Sequence, residues 1–153
     1  MKPAYLFAAF LLLIFSGCDT SEPEDIVLED PVPSFVADSV YIVTESGLMY
    51  HDLIVGDTTR VRADSGDVVR LNYHGWLDGV TFFDSSLLQG APLEFVLGVG
   101  NVIPGMDEGI NGMYLGGERQ IVIPPELGYG QEARGIIPAN STLMFEVVLI
   151  GTQ

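Results

Sequence analysis

A chain of 153 residues, 48% apolar and 10% aromatic, carries enough apolar surface for one packed domain and excludes a disordered protein. Its 21 acids against 6 bases give a formal charge of -15, which repels polyanions and excludes nucleic acid as a partner. Eighteen glycines and nine prolines favour short strands and tight turns over a helical bundle.

The chain opens with Lys2 and an apolar run over residues 4–15 that ends in Ser16 and Gly17. That layout predicts a secretory signal over residues 1–17. The run is shorter than the roughly 20 residues a spanning helix needs, and acids follow at once, which argues against a permanent transmembrane anchor. The only cysteine, Cys18, comes next and has no internal disulfide partner. The segment Phe15-Ser16-Gly17-Cys18 resembles a bacterial lipobox. It implies a lipid on Cys18 and an exported lipoprotein on the periplasmic or cell-surface side of a membrane, with each buried CH₂ contributing about 0.8 kcal/mol. Asp19 resembles an inner-membrane retention signal. Residues 18–39 then hold seven acids (Asp19, Glu22, Glu24, Asp25, Glu29, Asp30 and Asp38) with Pro23, Pro31 and Pro33, and no base appears before Arg60. This composition predicts an extended, self-repelling linker. A single domain is expected over residues 40–153, with its core over 66–153.

Within that domain, residues 40–43 read as a first strand, and Ser46-Gly47 as a turn into an edge segment. Residues 67–74 alternate, with Val69, Leu71 and Tyr73 on a core face and Val68, Arg70 and Asn72 on a wet one. Asp78-Gly79 signals a hairpin into a strand over 81–83. Residues 104–113 predict one helix, with Pro104 at its start, Asp107 and Glu108 in its first turn and Gly116-Gly117 as its stop. Met106, Ile110 and Met113 form its apolar stripe. Gly109 and Gly112 cost about 1 kcal/mol each, so the helix is expected only as something packed across a sheet. Residues 119–123 and 142–150 supply further strands. The pattern predicts an α+β fold, a half-wrapped antiparallel sheet around one short helix.

Three stretches carry a resemblance: Tyr73-His74-Gly75 with Phe83-Asp84-Ser85-Ser86; Val102-Ile103-Pro104-Gly105-Met106-Asp107-Glu108-Gly109; and Tyr129-Gly130 with Gly135-Ile136-Ile137-Pro138 and Phe145. In this order they are similar to the FKBP-type peptidyl-prolyl cis-trans isomerases over nearly all of residues 67–150. The resemblance implies a half-barrel sheet of five to six strands around the helix. It also implies an apolar pocket, with Tyr73, Phe83, Asp84, Tyr129 and Phe145 catalytic and Val102, Ile103, Met106, Ile137 and Leu93 binding substrate. Met106 would be the floor, Tyr129 and the Ile137 N–H would donate to substrate carbonyls, and Asp84 would orient Tyr73. Three positions depart from the best-known members: Met106 replaces an indole, Leu93 an aromatic, and Gln89 an arginine beside the aspartate. The loop between Gly130 and Gly135 is a residue shorter. A thioether floor implies slower turnover and weaker binding of macrolide inhibitors.

Rotating a prolyl bond breaks nothing, so the reaction needs no nucleophile, metal or cofactor, and none is expected here; His51 and His74 are isolated and read as structural. The partners implied are proline-containing unfolded or nascent exported polypeptides, with the membrane reached through the lipid. The competing reading is a binding or chaperone module that holds a proline loop in the same pocket without turnover; a purely structural lipoprotein leaves the pocket residues without a role.

Overall fold

The computed structural model describes residues 30–153. The expected signal peptide and Cys18 lie outside the described residues. The elements run β1 (Ile42–Val43), β2 (Met49–Ile54), β3 (Val68–Leu77), β4 (Thr81–Ser85), β5 (Leu93–Val96), α1 (Pro104–Ile110), β6 (Glu118–Ile123) and β7 (Leu143–Thr152). All pairings are antiparallel, in the order β1-β2-β6-β7-β3, and β4 and β5 share the far edge of β3.

The sheet has seven strands, one beyond the expected range. The addition is β5, whose four residues are too few to establish a period. The strand expected over 40–43 shrinks to Ile42–Val43, because Asp38–Val40 forms a single 3-10 turn. The hairpin signal holds: Asp78 (φ 50) and Gly79 (φ 71) both take positive φ, as the tight turn between β3 and β4 requires.

Inward residues of β3, β6 and β7, such as Val69, Leu71, Ile121, Ile123, Leu143, Val147 and Leu149, form one core with Met106, Ile110 and Met113. Here the helical glycines find their purpose. A Cβ on Gly105 would lie 2.4 Å from Ile123 and one on Gly109 2.7 Å from Ile121, so the helix reaches the sheet only because both positions lack a side chain. The helix stops at Ile110, three residues before the expected end, and Gly112 (φ 80) turns the chain before Gly116-Gly117 is reached. Met113 stays buried from within that turn, which is why the apolar stripe reads as longer than the helix.

The outer face corrects a second expectation, since it is not simply wet. Trp76 and Gln120 are 0% exposed although both point away from the helix. Residues 31–36, expected as part of a solvated linker, lie against them, and Trp76 Nε1–H donates to the Pro31 carbonyl at 2.8 Å. His74 packs beside Trp76 and Phe82 on this face, and His51 packs edge-on to Tyr41.

Candidate functional site

Between α1 and the concave face of the sheet lies a cleft of about 580 Å³, within the size range of small-molecule and peptide pockets. Its walls come from four strands, the helix and the loops beside them. β3 contributes Tyr73, β4 Phe83 and Asp84, β5 Leu93, and β7 Phe145. Val102 and Ile103 approach from the turn before α1, Met106 from α1 itself, and Tyr129 from the segment after the 3-10 turn Pro125–Leu127.

Strand register makes this convergence unavoidable. Gly75 of β3 stands opposite both Asp84 of β4 and Phe145 of β7, and the β3–β4 register shift beside it leaves Phe83 as an extra residue, so the adjacent Phe83 and Asp84 both line the cleft with Tyr73 and Phe145. Phe83 and Phe145 meet edge-to-face, centroids 5.6 Å apart at 84°, and Tyr73 meets Phe145 at 6.0 Å and 63°. This is the arrangement ring quadrupoles favour. Met106, 4% exposed, closes the bottom.

The polar edge is equally fixed. The Tyr73 hydroxyl donates to Asp84 Oδ2 at 2.6 Å, while Asp84 Oδ1 accepts the Ser85 N–H at 2.8 Å and the Gln89 amide at 3.4 Å. Burial first, then the bond to Asp84 and its charge, push the Tyr73 phenol above its ordinary value. Tyr73 therefore stays a protonated donor at neutral pH, and the carboxylate holds its ring against Phe145. The turn leading into α1 is tied down by Asp107, whose two oxygens accept the Gly98 and Gly100 N–H groups at 2.8 and 3.0 Å.

Of the expected site residues, Ile137 alone does not reach the cleft wall. Its side chain is 6% exposed within the core, and its N–H, expected to serve substrate, donates to the Arg134 carbonyl at 2.9 Å. That bond and its reciprocal close a tight turn through Gly135 (φ 58). An amide at the wall with the complementary property is Ile103: its carbonyl accepts from Met106 and Asp107, and its own N–H donates to no backbone carbonyl among the described residues. Residue reading also omits Asn101, Glu132 and Arg134, which line the mouth. The Arg134 guanidinium lies 5.7 Å from the Tyr129 ring centroid and pairs with Glu132 at 3.2 Å. The signal was available, since Arg134 is the last base in a strongly acidic chain.

With this geometry in hand, the comparisons with known proteins agree. The model of the FKBP-type peptidyl-prolyl cis-trans isomerase family matches residues 59–150. The chain is 48% identical over 105 residues to the FK506-binding protein of Neisseria meningitidis serogroup B, covering 68% of this chain and 94% of that one. It is 42% identical over 106 residues to bovine peptidyl-prolyl cis-trans isomerase FKBP9, covering 69% of this chain but only 18% of that much longer protein. The solved structure of AtFKBP13 superposes with a TM-score of 0.68 at 38% identity, covering 74% of this chain and 98% of the other.

Proposed function

This chain belongs to the FKBP-type peptidyl-prolyl cis-trans isomerase family, and from that membership we propose that it rotates X-Pro bonds in the cleft over Met106, non-covalently and without cofactor, in exported polypeptides. Amide resonance sets a barrier of about 18–20 kcal/mol, and uncatalysed exchange takes tens to hundreds of seconds. Reaching milliseconds asks for about 5–7 kcal/mol of preferential transition-state stabilisation.

Twisting the bond removes nitrogen–carbonyl conjugation and makes the amide less charge-separated, so a dry apolar cavity favours the twisted form relative to water. The observation that carries this reading is the interlocked Tyr73, Phe145 and Phe83 rings over a buried Met106, with Asp84 pinned at their edge. The proline ring would sit on Met106 against these aromatics. Tyr129 and the Ile103 N–H would donate to flanking carbonyls, the second taking over the role expected of Ile137. Asp84 acts mainly through Tyr73, by holding that ring in the wall.

The test is cis-to-trans relaxation of short X-Pro peptides in a protease-free assay. Asp84→Ala frees the Tyr73 ring and removes one charge-assisted bond, so kcat/KM should fall about tenfold, equivalent to about 1.4 kcal/mol. Tyr129→Phe should lower it by a similar factor. Tight peptide binding with no catalysis in the parent chain, unchanged in either variant, would replace the isomerase reading with that of a proline-loop binding module.

The setting is proposed from the leader: residues 1–17 direct export and Cys18 receives the lipid, stationing the domain where translocated chains emerge with unsettled prolines. In a bacterial host, labelled fatty acid should enter the protein and fail to enter Cys18→Ser. Equal labelling of the two would refute the anchor.

A further inference from the structure

The sheet carries a second built surface on the side away from the cleft. Strand alternation fixes the geometry: Trp76, Phe82, Gln120 and Met144 each adjoin a residue that faces the helix, namely Gly75, Phe83, Ile121 and Phe145, and so point the opposite way. One face of an antiparallel sheet commonly meets water. Here Trp76 and Gln120 are fully buried, and residues 31–34 cover them.

The covering segment has a particular backbone. Pro31 and Pro33 hold their own φ near −65°, and each biases the residue before it toward extended conformation. That is the recipe for a polyproline II helix, with about 3 residues per turn and about 3.1 Å rise. In such a helix the carbonyls of residues 31 and 34 lie one turn apart on the same side, and these are the two that the sheet reads. Trp76 Nε1–H donates to the Pro31 carbonyl at 2.8 Å, and the Gln120 amide donates to the Ser34 carbonyl at 3.0 Å. Ser34 N–H returns a bond to Glu146 Oε1 at 2.6 Å. The Gln120 amide also donates to that oxygen at 2.8 Å, and the Tyr41 hydroxyl donates to Gln120 Oε1, which fixes the orientation of the buried amide. Val32 and Phe35 are 86% and 96% exposed, so recognition rests on backbone carbonyls and proline spacing, not on the intervening side chains.

We propose that this outer face is a second proline-reading surface, separate from the isomerase cleft, which holds an extended Pro-x-Pro segment by its carbonyls and whose resident ligand is the chain's own residues 31–34. Aromatic grooves that bind polyproline II segments use the same chemistry, an aromatic wall with a donor aimed at the ligand backbone. Occupancy seats Asp30 and the residues after it on the face away from the cleft. A tethered segment sees its site at about millimolar effective concentration, so a weak intrinsic affinity suffices in cis, and the same peptide should bind in trans once the segment is released.

Trp76 is the only tryptophan in the chain, so its fluorescence reports this surface alone. In the full chain, Pro31→Gly with Pro33→Gly should release the segment, red-shift the emission and raise acrylamide quenching, while far-UV circular dichroism and X-Pro turnover stay at the parent values. Adding a peptide of residues 30–37 at millimolar concentration should restore the blue-shifted emission, and the same peptide with both prolines replaced by glycine should not. Emission identical in parent and variant would overturn the proposal, as would failure of the proline peptide to restore it. The fluorescence readout does not depend on catalysis, so it stands even if the isomerase reading fails.

Discussion

Gly75→Ala should disable the cleft from beneath, with kcat/KM toward X-Pro peptides falling about hundredfold, although every side chain that would touch the peptide is retained. A Cβ at this position would lie 2.8 Å from Phe83 Cζ and 2.9 Å from Phe145 Cε1. Real carbon–carbon contacts sit near 3.5–4.0 Å, so both rings must retreat from the sheet into the space above Met106. The edge-to-face pair cannot yield by one partner alone, because the methyl would press on both. Gly75 also lies where the β3–β4 register shifts, and it pairs with Asp84 and Phe145, so backbone displacement would travel to the carboxylate as well. Overpacking of this kind costs about 1–3 kcal/mol of stability. Phe83→Leu in the same chain removes the nearer ring tip and should return most of that stability without returning activity, a non-additive pattern expected of residues in contact. Turnover of Gly75→Ala equal to the parent would show that the rings have room to spare, and would count against a tightly shaped pocket.

The cleft residues are legible in the sequence through the resemblance of their motifs to the FKBP-type family. Tyr73 and Gly75 share a face of β3 and β7 brings Phe145 beside them, but regular alternation would send the neighbours Phe83 and Asp84 to opposite faces, and only the register shift at Gly75 brings both to the cleft. What resisted reading was decided by backbone bonds and by long-range contacts. The Ile137 N–H is consumed by Arg134 in a turn of four residues, a fact invisible to any count of side-chain types. The helix end was misplaced because burial of Met113 continues the apolar stripe after the helical hydrogen bonds have stopped. Trp76 lies beyond the strand expected over 67–74, and its cover arrives from Pro31, 45 positions upstream. The acids around that segment suggested a solvated tether, but two prolines had already surrendered much of the backbone entropy that docking costs.

Arg119→Met should be the most destabilising single change among the polar residues, at about 3 kcal/mol, and its effect should reach the cleft through the helix. Arg119 sits on β6 with its side chain 8% exposed, turned inward beneath the end of α1. Its guanidinium donates to both Asp52 oxygens, at 2.6 and 3.2 Å. It also donates to the Gly109 and Asn111 carbonyls, at 2.9 and 3.3 Å, and lies 4.4 Å from the Tyr50 ring centroid. The last carbonyls of a helix have no partners of their own, and a cation there also favours the helix dipole. One side chain thus satisfies the end of α1 and binds it to β2. Methionine fills much of the volume but leaves a carboxylate and two carbonyls unpaired. Asp52 is 31% exposed and can partly rehydrate, which puts the cost near the lower end of about 3–5 kcal/mol for breaking a buried pair. Urea midpoints of the parent, Arg119→Met and the double variant Arg119→Met with Asp52→Leu would check this. The double variant should recover part of the loss, because the stranded charge is gone, but not all of it, because the helix carbonyls remain uncapped. Since α1 carries Met106, the single variant should also raise KM for X-Pro peptides before it lowers kcat, as a loosened floor weakens seating of the proline ring. A midpoint shift worth less than about 1 kcal/mol, within the range of an exposed ion pair, would mean that packing of Gly105 and Gly109 against Ile123 and Ile121 holds the helix without help from the arginine.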